Sequence, residues 1–77
     1  MKRALLIAGG GTLGTYVAEE LLGLGHSVDV ICLEDHVSDN ERLTYYKEYA
    51  TLEFLEQLFA KTHYDGIVNF LHNKNYK

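Results

Sequence analysis

The feature that most constrains this chain is a glycine turn set between a short apolar run and a helical pattern. Ala4-Leu5-Leu6-Ile7-Ala8 is continuously apolar, as in a parallel strand covered on both faces. It runs into Gly9-Gly10-Gly11-Thr12-Leu13-Gly14, after which Leu13, Val17, Leu21 and Leu24 fall at helical spacing, with Glu19 and Glu20 on the other side. Strand, Gly-x-Gly-x-x-Gly and helix, in that order, are the fingerprint of a dinucleotide-binding βαβ unit. Each glycine has a physical task in that reading. Gly9 turns the chain sharply off the strand, Gly11 lets a pyrophosphate lie against bare backbone, and Gly14 lets the first helical turn approach strand one. A phosphate there faces free N–H groups and the positive end of the helix dipole. The alternative is a tight turn with no ligand.

The remaining chain supplies what such a unit needs. Gly25 ends the first helix, which the pattern places over 12–24. Val28, Val30 and Cys32 alternate with Asp29 and Ile31 in a second strand, and residues 34–41 form an acidic loop. Thr44, Tyr45 and Tyr46 favour a third strand over 43–48, whose weak apolarity suits a sheet edge. Thr51 caps a second helix reaching His63, with a stripe of Leu52, Leu55 and Phe59 widened by Phe54 and Leu58. Residues 66–71 make a fourth, apolar strand, and 72–77 a solvated tail. The expected fold is a single α/β domain over 1–77, a half-Rossmann three-layer unit. Its mostly parallel sheet has strand order 3-2-1-4 and one main helix on each face. One connection is short: a parallel crossover takes about a dozen or more residues, and only Glu34 to Arg42 separate strands two and three. Either one helical turn bridges them, or strand three is short or irregular.

Composition narrows the class. Seventy-seven residues, 47% hydrophobic and 23% charged, make one small globular domain, with room for about one of the two βαβαβ halves of a full dinucleotide-binding domain. A net charge of −4, with no basic cluster beyond Lys2-Arg3, argues against nucleic acid as a partner. No apolar run is long enough for a signal sequence or a membrane span. The single cysteine, Cys32, excludes an internal disulfide; it is expected as a small buried apolar residue, and a reducing cytoplasm is the expected location. His26, His36, His63 and His72 lack metal-ligand spacing, so no metal site is expected.

Three stretches resemble the extended short-chain dehydrogenase/reductase family, the NAD-dependent epimerases and dehydratases. They are Ala8-Gly9-Gly10-Gly11-Thr12-Leu13-Gly14, Leu21-Leu22-Gly23-Leu24-Gly25-His26-Ser27-Val28-Asp29-Val30, and Tyr64-Asp65-Gly66-Ile67-Val68-Asn69-Phe70. The first resembles the family's Gly-x-x-Gly-x-x-Gly, with Ala8 in the first glycine position and Gly11 and Gly14 in the others. The second is similar to the family's GHxVxV lead into strand two, and the third to its (F/Y)DxVxxLA strand beside the cofactor's adenosine half. Cys32 and Leu33 stand where the family often has a charged residue, and Glu48-Tyr49 where it commonly has Gly-Asp. The resemblance covers nearly all of this chain and about the opening third of such an enzyme. It implies an NAD-binding front end. The family's Tyr-x-x-x-Lys pair is not matched: Tyr16, Tyr45, Tyr46, Tyr49 and Tyr64 are followed at that spacing by Glu20, Tyr49, Ala50, Glu53 and Val68, and Tyr76 by the chain end. The catalytic part is therefore expected to be absent, and the chain alone inactive.

Within this reading Gly9, Gly10, Gly11, Thr12, Leu13 and Gly14 hold the pyrophosphate. Glu34 or Asp35, about 20 residues further on, accepts hydrogen bonds from a ribose diol; the alternative for both is a solvated acidic loop. Their charge repels a 2′-phosphate and favours NAD over NADP. Asn69 and His72 either line the nucleotide cleft or satisfy backbone groups at the strand end. Tyr45, Tyr46 and Tyr49 are expected to cluster on an edge or assembly surface. The apolar edge at 66–71 points to a homo-oligomer. The expected function is adenine-dinucleotide binding as the N-terminal part of an epimerase- or dehydratase-like oxidoreductase. Its rival is a non-catalytic assembly module, or a fragment with no significant ligand.

Overall fold

The computed structural model of the chain describes residues 2–70. The elements follow in the order β1 (Arg3–Ile7), α1 (Thr12–Gly23), β2 (Ser27–Cys32), β3 (Leu43–Lys47), α2 (Leu52–Lys61) and β4 (Gly66–Asn69). The sheet has the order β3-β2-β1-β4, and every pair is parallel: Leu6 lies opposite Val30 and Val68, and Val30 opposite Tyr45. This is the expected order, with β3 at an edge. Strand four is shorter than expected, although the Phe70 amide still donates to the Ile7 carbonyl at 2.8 Å. Leu71 and the tail lie outside the described residues.

Strand alternation divides the core into two layers. Leu6, Val28, Val30 and Cys32 face α1, where Ala18 is buried and Val17, Leu21 and Leu22 pack beside it. Leu5, Ile7 and Ile31 face α2 and pack on Leu58, with Phe54, Leu55, Tyr46 and Tyr64 around them. Each face of the sheet thus carries one helix. The Thr51 hydroxyl accepts from the Phe54 amide at 3.1 Å and caps α2 as its sequence implies.

The helix faces keep part of the expected stripes: Val17 and Leu21 on α1 and Phe54, Leu55 and Leu58 on α2 pack inward. On α1 the buried positions are Gly14 and Ala18, whereas Leu13 and Leu24 are exposed. Small residues let the helix axis come close to the sheet, with Leu13 and Leu24 at its two ends turned outward. On α2 the inward face centres on Leu58, and Leu52 and Phe59 are exposed. The three tyrosines do not cluster either. Neighbouring strand positions point to opposite faces, so Tyr45 joins the α1 layer, Tyr46 the α2 layer, and Tyr49 beyond the strand is exposed.

The short crossover is solved without a helix. After β2 the chain runs through bends and irregular backbone to a turn at Glu41-Arg42, held where the Asn40 side chain accepts from the Arg42 amide at 2.9 Å. The Arg42 guanidinium donates to the carbonyls of Leu22 and His26 at 3.1 and 2.9 Å. It thereby supplies a positive charge to the C-terminal end of α1, whose last turn has no basic residue.

Candidate functional site

The β1–α1 turn assigns its glycines tasks partly different from those expected. The residue in left-handed backbone is Ala8, with φ 61°, not Gly9. Gly9 instead stays in register with β2, its amide donating to the Ile31 carbonyl at 3.2 Å. A side chain on Gly9 would press the Leu6 Cβ at 3.0 Å, so its role is close packing. Gly14 behaves as expected, since a Cβ there would overlap the Gly9 backbone, 2.6 Å from its Cα; the contact is with the turn rather than with the strand itself. Gly10 sits against the end of β2, where a Cβ would run into the Glu34 carboxylate and the Cys32 Cβ.

Gly11 is different. It is the N-cap of α1, in extended backbone with φ −84° and ψ −172°, and no side chain caps it. A Cβ on Gly11 would meet no protein atom within 4 Å, so packing does not demand glycine there. The first intrahelical bond runs from the Thr15 amide to the Gly11 carbonyl at 2.9 Å. The amides of Thr12, Leu13 and Gly14 have no intrahelical acceptor, and the first turn carries no acidic residue to neutralise the dipole.

The start of the helix borders, through Gly11 and Thr12, a cleft of about 660 Å³ lined by Gly10, Gly11, Thr12, Thr15, Tyr16, Glu19 and Glu34. Gly9 and Gly14 lie beneath it as packing residues, and the Leu13 side chain is turned to solvent. Glu34 forms part of the rim. Asp35 points elsewhere: its carboxylate pairs with Lys47 at 2.6 Å, and that ammonium holds it below its ordinary pKa. On the other side of the Glu34 segment is a smaller cavity of 170 Å³ bounded by Ala8, Ile31, Cys32, Leu33, Glu34, Glu48, Tyr49 and Ala50. Both cavities lie at the carboxyl ends of the strands, where open α/β sheets bind ligands. Asn69 ends β4, opposite Ile7 at the same end of the sheet. His72 lies outside the described residues.

Two features of this region escape the sequence reading. His36 approaches the glycine turn, its Nε2 3.0 Å from the Gly10 carbonyl, and its ring stacks on Tyr45 with centroids 4.8 Å apart. Cys32, buried as expected, has a Glu34 carboxylate oxygen and a His36 ring nitrogen within 4.8 Å of its sulfur; burial first and the Glu34 charge second push its thiol above the ordinary value. No local spacing marks this cluster, because the chain bends at residues 33–34 just after β2. At the opposite end of the sheet, Asp29 is buried and takes hydrogen bonds from Arg3 and Tyr64.

No helix among the described residues is long and apolar enough to cross a membrane. No family model matches the chain, and no curated protein matches it. Among solved structures it is similar to the crystal structure of the Bordetella bronchiseptica enzyme WbmG in complex with NAD, with 24% sequence identity and a TM-score of 0.81. The match takes in 99% of this chain and 26% of WbmG, so the chain spans about a quarter of that enzyme's length. The fold is accordingly a Rossmann-type α/β unit with parallel strand order 3-2-1-4.

Proposed function

We propose that this chain binds NAD(H), as the N-terminal nucleotide-binding part of an epimerase- or dehydratase-like oxidoreductase. The observation that carries the reading is the uncapped start of α1, which opens onto a cleft with Glu34 on its rim. The pyrophosphate lies over Gly10 and Gly11 and takes hydrogen bonds from the amides of Thr12, Leu13 and Gly14. Gly9 and Gly14 bring helix and turn close enough for that geometry. Glu34 accepts from the adenosine ribose, and Asp35, engaged by Lys47, adds negative charge nearby. The fold match to an enzyme crystallised with NAD supports this placement. These residues bind and orient a dinucleotide; hydride chemistry is the nicotinamide's when it is bound.

NAD is favoured over NADP because the Glu34 carboxylate sits against Gly10, and because the guanidinium of Arg42 is committed to the far end of α1. That helix has 12 residues, which at about 1.5 Å each puts Arg42 roughly 18 Å from the turn. Amide chemical-shift mapping with ADP-ribose tests the assignment. Shifts concentrated at residues 9–14 and at Glu34 are expected, and shifts confined to other surfaces contradict it.

A second reading, self-assembly, is favoured by the outer edge of β4. Its four residues are all exposed, with Ile67 at 52% and Val68 at 37%, and it pairs only with β1 among the described residues. We propose that the 66–71 edge joins a second copy.

A further inference from the structure

We propose that Cys32, Glu34 and His36 form a three-ligand site for a zinc-class divalent cation at the carboxyl end of β2. One ligand atom from each residue lies within 4.8 Å of the others. Around a tetrahedral zinc ion, ligands at about 2.0–2.3 Å stand roughly 3.3–3.6 Å apart, so the group must contract by about an ångström. Glu34 is exposed and can swing inward to shorten its distances to both partners, which are held.

Each held ligand is fixed by a separate contact. Cys32 is the last residue of β2 and is locked into the α1 layer. His36 is pinned by its stack on Tyr45 and by the 3.0 Å contact of Nε2 with the Gly10 carbonyl. A carbonyl only accepts, so in this contact Nε2 is the donor, and Nδ1 is the nitrogen that would hold a metal. A histidine whose second ring nitrogen donates to a backbone carbonyl is the usual arrangement around a metal.

The donor set selects the ion. A thiolate and an imidazole suit zinc or cobalt better than magnesium or calcium, and three protein ligands leave a fourth position for water. Both Cys32 and Glu34 border the 170 Å³ cavity. On binding, the Cys32 proton passes to solvent, and the weak 3.6 Å contact of its sulfur with the Glu34 carbonyl is given up.

The site shares Glu34 with the proposed ribose contact. The test is therefore a cobalt(II) titration of the whole 77-residue chain without nucleotide, followed by displacement with zinc. Expected are visible d–d bands of tetrahedral strength, a near-ultraviolet sulfur-to-cobalt charge-transfer band, and bleaching of both by zinc. Cys32→Ser should remove the charge-transfer band, and Glu34→Gln and His36→Gln should each weaken cobalt binding about tenfold or more. The latter two residues lie outside the sheet, so these variants test the site even if Cys32→Ser fails to fold. A spectrum without the sulfur band, or affinity unchanged in Glu34→Gln and His36→Gln, overturns the proposal.

Discussion

The Tyr64 hydroxyl donates to Oδ2 of Asp29, a carboxylate 1% exposed in the interior strand β2. The other oxygen takes the Arg3 guanidinium at 2.6 Å. Both carboxylate oxygens are satisfied from flanking elements, which is how a sheet interior can hold a charge. The arrangement ties β1, β2 and the segment before β4 together at the end of the sheet opposite the glycine turn.

Tyr64→Phe should cost about 1.5–3 kcal/mol, the range for a hydrogen bond to a charged group, measured as a lower denaturant midpoint with an unchanged slope. It should also alter the alkaline limb of stability. Burial first, and the bond to Asp29 second, hold the Tyr64 pKa well above its ordinary value of 10.0. Its folded pKa therefore exceeds the unfolded one. The stabilisation is complete below pH 10 and is lost as pH rises further, because only the unfolded state releases the proton. Tyr45 and Tyr46 are shifted the same way, so Tyr64→Phe should shallow this decline without abolishing it. Identical alkaline slopes in the two proteins would contradict the assignment.

Gly14 and Gly11 should separate packing from binding. Gly14→Ala drives a methyl into the Gly9 backbone and should destabilise by at least about 1–3 kcal/mol, the usual overpacking cost. Gly11→Ala meets no protein atom and should leave the thermal midpoint nearly unchanged. Equal losses in the two variants would show that the turn is built differently.

Ala8→Gly relieves left-handed backbone, worth about 1–2 kcal/mol, and adds about 0.4–1 kcal/mol of unfolded-state entropy. A small net gain of about 0.5 kcal/mol is expected in denaturant unfolding. A clear loss would contradict the φ of 61°.

These glycines also show how far sequence reasoning reached. The elements follow from apolar runs and helical spacing, the strand order and the helix on each face from the dinucleotide-binding motif and the family resemblance, and the Thr51 cap from local hydrogen-bonding chemistry. The turn was legible as a motif, but which residue takes positive φ was not: Ala8 does so because of how the chain leaves β1, and no local pattern marks it. Its place in the family resemblance, where others carry glycine, was the clue. The inward faces of the helices depend on tertiary docking, which prefers Gly14 and Ala18 to Leu13. Asp29 looked like one half of a polar alternation, yet all six residues of β2 are buried, because α2 covers that face as well. Its partners lie 26 and 35 residues away, beyond any local signal.

Self-assembly of the 77-residue chain through β4 should appear in sedimentation equilibrium as a dimer or larger species at high micromolar concentration. Ile67→Pro, which removes a backbone donor on the outer edge of the strand, should shift it toward monomer. A monomer at all concentrations would leave the strand edge without this role.

Nucleotide binding at the glycine turn is tested most directly by calorimetric titration of the chain and of Gly11→Val with NAD. The expected dissociation constant is on the order of 0.1–1 mM, about −4 to −5.5 kcal/mol, with binding lost in Gly11→Val while its circular dichroism stays native-like. No heat of binding in the unmodified chain, or the same affinity in a folded Gly11→Val, would contradict the account.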